Sequence, residues 1–198
     1  MTHSRLRQQI DFLIEVDKVK RIIRQTYVTD GSRKENDAEH SWHLAVAAVL
    51  LAEHAAEPVD VARVVKMVLI HDLVEIDAGD VSVYDRAARQ AQKAKEQAAA
   101  DRIYALLPAD QAGELRSLWE EFEAGQTPEA KFAGALDRLL PIQLNAYTNG
   151  RSWRERGITA DRVRQHNAHI AGGSPAIWEF VQDIIRHAVE KGHLPEAP

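Results

Sequence analysis

Apolar residues recur at three- and four-residue steps along almost the whole chain, a spacing that allows little except helices packed on helices. Leu6, Ile10, Leu13, Ile14, Val16 and Val19 trace one buried face of a first helix. After a turn-like stretch, Thr29 to Ser32, Asn36 or Asp37 is placed to cap a second helix carrying His40, His43, Ala47, Leu50 and Leu51, broken by Pro58. Asp60 caps a third, through Val61, Val64, Val65, Val68 and Leu69 to Ile76, ended by Gly79. The run Val64 to Ile70 also fits a buried strand, but its flanks keep the helical step and no second strand candidate exists to pair with it.

Arg86 to Ala100 is rich in alanine, lysine, glutamine and arginine, with strong helix propensity and a weak apolar face. Pro108 stops that helix, and another carries Leu115, Leu118, Trp119 and Phe122. Thr127-Pro128-Glu129-Ala130 is a helix start, with threonine as cap and proline in the first turn. It leads through Phe132, Leu136, Leu139, Leu140, Ile142 and Leu144 to a stop at Asn149-Gly150. Thr159 or Asp161 opens a further helix, and Ser174-Pro175 opens the last, through Ile177, Phe180, Ile184, Ile185 and Val189. With 198 residues and no internal repeat or long linker, the pattern predicts one all-α domain over residues 1–198, a single helical bundle.

Composition narrows the chemistry. There is no cysteine, which excludes disulfides, thiol catalysis, iron–sulfur ligation and cysteine zinc sites. Nine histidines remain, so a transition-metal site must use imidazole and carboxylate. With 25 basic against 30 acidic residues and a net charge of −5, nothing favours a nucleic-acid polymer as partner. The longest apolar run, Leu44 to Ala52, is far short of the roughly 20 residues that span a bilayer. The polar stretch Met1 to Gln9 has no apolar signal region, so the expectation is a cytoplasmic protein with no membrane partner.

The informative stretch is Val68-Leu69-Ile70-His71-Asp72-Leu73-Val74-Glu75-Ile76. A histidine–aspartate pair alone arises often by chance. Here it follows apolar residues of a core helix, where an ionised carboxylate is costly unless paired or bound to metal. Glu75 lies four residues from His71 and three from Asp72, so the three crowd one side of a helix. Upstream stands Glu39-His40-Ser41-Trp42-His43, and downstream Leu136-Asp137-Arg138-Leu139-Leu140 puts a lone aspartate among apolar positions. Three packed helices would bring two imidazoles and two carboxylates together, a donor set suited to manganese, iron, cobalt, nickel or zinc. His43 is the rival to His40 and reads as a core or supporting histidine. His54, His166, His169, His187 and His193 read as surface or capping residues, and Trp42, Trp119, Trp153 and Trp178 as packing. Glu35 and Glu39 suit a helix start, and Glu39 equally suits orienting a ligand imidazole. Arg138 reads as a neutralising neighbour of Asp137, and Pro141 as a disturbance of the helix beside it.

In combination, residues 33–41, His71-Asp72-Leu73-Val74-Glu75, Ala78-Gly79-Asp80 and Leu136-Asp137-Arg138-Leu139 resemble the HD-domain metal-dependent phosphohydrolases, most of all their small 5′-deoxynucleotidase-like branch. The resemblance covers roughly Leu13 to Val189. It implies His40, His71, Asp72 and Asp137 as ligands of a divalent ion, with manganese or cobalt favoured and iron, nickel, zinc or magnesium as alternatives. It implies catalytic roles for Glu75 and Asp80, and substrate contacts from Arg24, Tyr27 and Arg33. The substrate implied is a small phosphorylated one, a nucleoside 5′-monophosphate, and the assembly implied is a homodimer, for which the weak face of the Ala-rich helix offers a surface. Two positions depart from the family pattern: Gly134 stands where a lysine is frequent, and Tyr27 where a tryptophan is. Other phosphorylated small molecules (a phosphodiester, a nucleoside triphosphate, an alarmone) and a non-catalytic, metal-stabilised nucleotide-binding module are the competing readings.

Overall fold

The computed structural model describes residues 4–80, 84 and 86–196, with only the backbone for 86–90. Eleven α-helices account for most of it: α1 (Arg5–Val16), α2 (Asp37–Leu51), α3 (Val61–Ile70), α4 (Glu75–Ala78), α5 (Arg86–Tyr104), α6 (Ala109–Ala124), α7 (Pro128–Tyr147), α8 (Arg151–Glu155), α9 (Ala160–Asn167), α10 (Ile170–Gly173) and α11 (Pro175–Glu190). The capping chemistry sits where the sequence places it. Asn36 accepts from the Glu39 amide and Glu39 returns the bond to the Asn36 amide, closing a capping box at the start of α2. Asp60, Thr127 and Ser174 accept from Arg63, Ala130 and Ile177 at the starts of α3, α7 and α11.

Helix α7 is the pillar. It packs against α2, α3, α6, α10 and α11, and Phe132, Ala133, Ala135 and Leu136 are wholly buried. Around it Leu44, Val64, Met67, Val68, Ile170 and Ile185 complete one core. The closest approach is made by α10. At Gly173 a Cβ would run into the Lys131 carbonyl of α7, with its carbon 2.6 Å away.

The structure corrects four expectations. Ile23–Tyr27 and Lys34–Asn36 form a small antiparallel hairpin, β1 and β2, pairing Ile23 with Asn36 and Tyr27 with Lys34. A three-residue partner strand is too short for alternation to reveal. The helix expected to run to Ile76 breaks at His71, where His71–Val74 tightens into a 3-10 turn before α4. The His71 imidazole explains the break: its Nδ1 lies 2.9 Å from the Val68 carbonyl, competing for a group that an α-helix would use. Only part of the first apolar stripe faces the core, where Val16 and Val19 pack. Leu6, Leu13 and Ile14 stay exposed and Phe12 is the buried residue, so periodicity marks an apolar face without naming what covers it. Trp42 is 66% exposed and stacks on His43, so it is not a packing residue. The Ala-rich helix α5 is anchored by buried Ala99, Ala100, Ile103 and Tyr104 near its C-terminus. No helix among the described residues is long and apolar enough to cross a membrane.

The packing predicts opposite outcomes at two glycines, Gly173 at the end of α10 and Gly134 inside α7. Gly173→Ala forces α10 off α7 and costs ~1–3 kcal/mol, typical of overpacking. Gly134, where a Cβ meets nothing within 4 Å, tolerates alanine and gains ~0.5–1 kcal/mol of helix propensity. Urea unfolding midpoints of the two variants, compared with the parent chain, measure both.

Candidate metal centre

The three elements singled out from sequence meet at one point. His40 comes from the second turn of α2, His71 and Asp72 from the 3-10 turn after α3, and Asp137 from the middle of α7. One ligand atom each from His40, His71 and Asp72 fall within 4.8 Å of one another. Asp137 Oδ1 lies 3.0 Å from His40 Nε2 and 3.7 Å from His71 Nε2. His71 Nε2 lies 3.1 Å from Asp72 Oδ2. The Val68 carbonyl takes the other His71 nitrogen, which sets the tautomer and turns Nε2 toward the cluster.

Glu35, rather than Glu39, is the carboxylate that faces the His40 imidazole. Its Oε2 stands 3.4 Å from His40 Nδ1, and it is buried on β2. Glu39 is instead spent on the capping box and on Arg33, 2.7 Å away. His43 lies in neither acidic group of the centre and pairs with Trp42.

A second acidic group shares Asp72: carboxylate oxygens of Asp37, Asp72 and Glu75 also lie within 4.8 Å. Burial, then the charges of Asp72 and Asp37, push Glu75 up to about 12, toward its protonated form. Burial and Asp72 raise Asp37 to about 6, with Arg24 opposing them. For Arg24 burial disfavours the cation, but Asp72, Asp137 and Asp37 outweigh it and hold the charge firmly. Its Nη1 bonds Asp72 at 2.7 Å and Asp37 at 2.9 Å, and its Nε is 3.8 Å from Glu35. Burial also opposes the charged form of Asp72, but His71 and Arg24 prevail and keep it ionised. Asp137 is likewise kept ionised against burial by Arg138, His40 and His71.

The donor set fits a divalent cation. Five buried or half-buried acids face Arg24 as the deeply buried cation, and Glu75 alone is neutralised by a proton. His40 Nδ1, His71 Nε2 and Glu35 Oε2 are buried with no hydrogen-bond partner. Burial disfavours the His71 cation, yet Asp72 and Asp137 raise it to about 10. Two imidazoles and two carboxylates are the mixed nitrogen–oxygen set that first-row divalent ions accept.

Of the remaining sequence candidates, Asp80 follows Gly79, whose φ of 77° turns the chain out of α4. Burial raises its carboxyl, with Arg24 opposing. It lines a cavity of about 100 Å³ beside the cluster, together with Arg24, Tyr84, Arg138, Asn145 and Trp153. Tyr27 and Arg33 are not brought to this cavity. The Tyr27 hydroxyl donates to Glu155 at 3.1 Å and its ring lies under Arg151, 3.8 Å from the centroid, while Arg33 is exposed on Glu39. The sequence reading gave Asp37 and Glu35 only helix-start roles. Asp37 had a signal, three residues ahead of His40 on one helix face. Glu35 had none, because a three-residue strand shows no period.

Comparison with known proteins agrees with this geometry. The HD domain family model matches residues 16–178. A 5′-deoxynucleotidase of Bos taurus is 33% identical over 143 residues, covering 71% of this chain and 68% of its own. A 5′-deoxynucleotidase of Schizosaccharomyces pombe is 26% identical over 186 residues, covering 89% of this chain and 88% of its own. The crystal structure of a predicted metal-dependent phosphohydrolase from Magnetospirillum magnetotacticum superposes with a TM-score of 0.93 at 47% identity, covering 97% of this chain and 96% of that one. With the histidine and histidine–aspartate elements converging as they do, and a family match across most of its length, the chain belongs to the HD domain family.

Proposed function

We propose that this protein is a divalent-metal-dependent 5′-deoxynucleotidase, converting deoxynucleoside 5′-monophosphates to nucleoside and phosphate. The observation that carries the reading is the meeting of His40, His71, Asp72 and Asp137 beside Glu75 and a cavity lined by Asp80. Names of relatives at about a third identity support the substrate class. A bound ion supplies Lewis-acid polarisation of a phosphoryl oxygen and acidifies water at neutral pH. The chain does the rest. Glu35 and the Val68 carbonyl orient His40 and His71. Arg24 fixes Asp72 and Asp37. Glu75 holds the proton that a departing 5′-oxygen needs. Asp80 stands at the cavity to accept a hydrogen bond from the 3′-hydroxyl and crowd a 2′-hydroxyl.

Manganese or cobalt is the ion we favour, because mixed imidazole–carboxylate donors are softer than the all-oxygen shell calcium prefers. His71→Ala and Asp72→Ala are expected to lose the bound ion. Glu75→Gln is expected to keep it and turn over ~10²–10⁴-fold more slowly, the usual worth of a proton-transfer group. Elemental analysis of the purified variants beside their turnover separates ligand from acid, and an empty site in Glu75→Gln contradicts the role given to Glu75. Chelation should abolish hydrolysis, and manganese should restore it better than calcium.

Sugar selection is tested by kcat/KM on dAMP, dTMP, AMP and 3′-AMP. The expected order puts both deoxynucleotides first, with the margin over AMP shrinking in Asp80→Ala. Equal rates on AMP and dAMP remove the sugar claim, and preference for 3′-AMP removes the whole reading.

The homodimer is proposed on a different surface from the Ala-rich helix. Leu6, Leu13 and Ile14 on α1, and Val49 and Leu50 on α2, are large apolar side chains left exposed. A second copy is the occupant proposed for this surface. Sedimentation of Leu13→Glu and Leu50→Glu as monomers, against a dimeric parent, is the expected result.

A further inference from the structure

Arg24, which the resemblance implies as a substrate contact, is already engaged. Its donors hold Asp72 at 2.7 Å and Asp37 at 2.9 Å, and turning them to a substrate would strand two buried carboxylates. A phosphoryl group arriving at this centre therefore needs another cation. We propose that Arg138 is that cation, the residue that grips the substrate's phosphoryl oxygens beside Asp137. This deepens the nucleotidase reading and rests on it.

Three observations point to Arg138. It follows Asp137 directly on α7, so its guanidinium starts next to the centre. Its donors are underused. Nε lies 3.5 Å from Asp137 Oδ2 and is buried with no hydrogen-bond partner, and among the described residues Asp137 is the only carboxylate with which it forms an ion pair. A guanidinium carries five N–H donors in a planar fork, a shape that matches two phosphoryl oxygens at once. Last, Arg138 stands between two openings. It lines the cavity of Asp80, Arg24 and Tyr84, and also a second cavity of about 480 Å³ bordered by Asp137, Lys131 and Gly134. Among the described residues no other lines both. Its side chain is 22% exposed, enough to meet a ligand and enclosed enough for the contact to count. Arg156 also borders the first cavity but is exposed, and Lys131 borders only the second.

The test is calorimetric titration of inorganic phosphate into manganese-loaded protein, with bound manganese measured on each sample. The parent should bind phosphate. Arg138→Gln should keep its manganese and weaken phosphate binding at least tenfold. Arg138→Lys, which keeps the charge without the fork, should fall between. Arg24→Gln should instead lower bound manganese. Unchanged phosphate affinity in a manganese-loaded Arg138→Gln overturns the proposal. If that variant loses its metal, Arg138→Lys decides, with a loss of threefold or more supporting the assignment and parental affinity overturning it. A parent that hydrolyses nucleotides yet shows no phosphate binding also overturns the grip while leaving the nucleotidase reading intact. Arg138-dependent phosphate binding in a protein that hydrolyses no nucleotide upholds the grip and overturns that reading.

Discussion

Negative charge buried in one small volume is the constraint to which the rest of this structure answers. Glu35, Asp37, Asp72, Glu75 and Asp137 converge from β2, α2, the 3-10 turn, α4 and α7. Placing such groups out of water is costly unless each is paired, protonated or bound to a cation. The structure shows the first two means and offers a donor set for the third. Arg24 bridges Asp72 and Asp37, burial and neighbouring carboxylates push Glu75 toward its protonated form, and His40 Nε2 and His71 Nε2 stand 3.0 and 3.1 Å from oxygens of Asp137 and Asp72. The hairpin that looks incidental in the fold has a clear purpose in this light. β1 delivers Arg24 and β2 delivers Glu35, each to the side of the cluster it serves.

Helical packing makes that concentration of charge possible. Helix α7 is buried along most of its length and brings Asp137 to the centre of the bundle. Its contact with α10 is close only because Gly173 lacks a side chain. The break after Ile70 matters as much. A continuous helix would carry Asp72 and Glu75 onward at 3.6 residues per turn, whereas the 3-10 turn, held by the His71 imidazole on the Val68 carbonyl, resets their directions. Backbone and candidate site are thus set by one side chain, and His71 also acts as a structural stop.

The two arginines illustrate why charge type alone does not assign a role. Both lie at the centre and both border the first cavity. Arg24 is committed to two carboxylates, and Arg138 has an ion pair that leaves its fork underused. A cation that has to hold the site together is poorly placed to release and recapture a substrate in each cycle. Separating those duties between two residues lets each be firm where it must be.

Much of this protein was legible in its amino-acid sequence, because helices announce themselves locally. Cap residues, prolines at helix starts and three- and four-residue apolar steps depend on neighbours within one turn, and Asn36, Asp60, Thr127 and Ser174 act where they stand. The metal-centre residues were legible for a related reason: a histidine–aspartate pair following an apolar run, and an aspartate alone on a buried face, violate the expected pattern. What tertiary structure decided was every question of direction. It turned part of the α1 stripe outward, tied Tyr27 and Arg33 to Glu155 and Glu39 away from the cavity, and gave the His40 support to Glu35. Each of these depends on which distant segment lies across a few ångströms of space, and chain spacing carries no record of that.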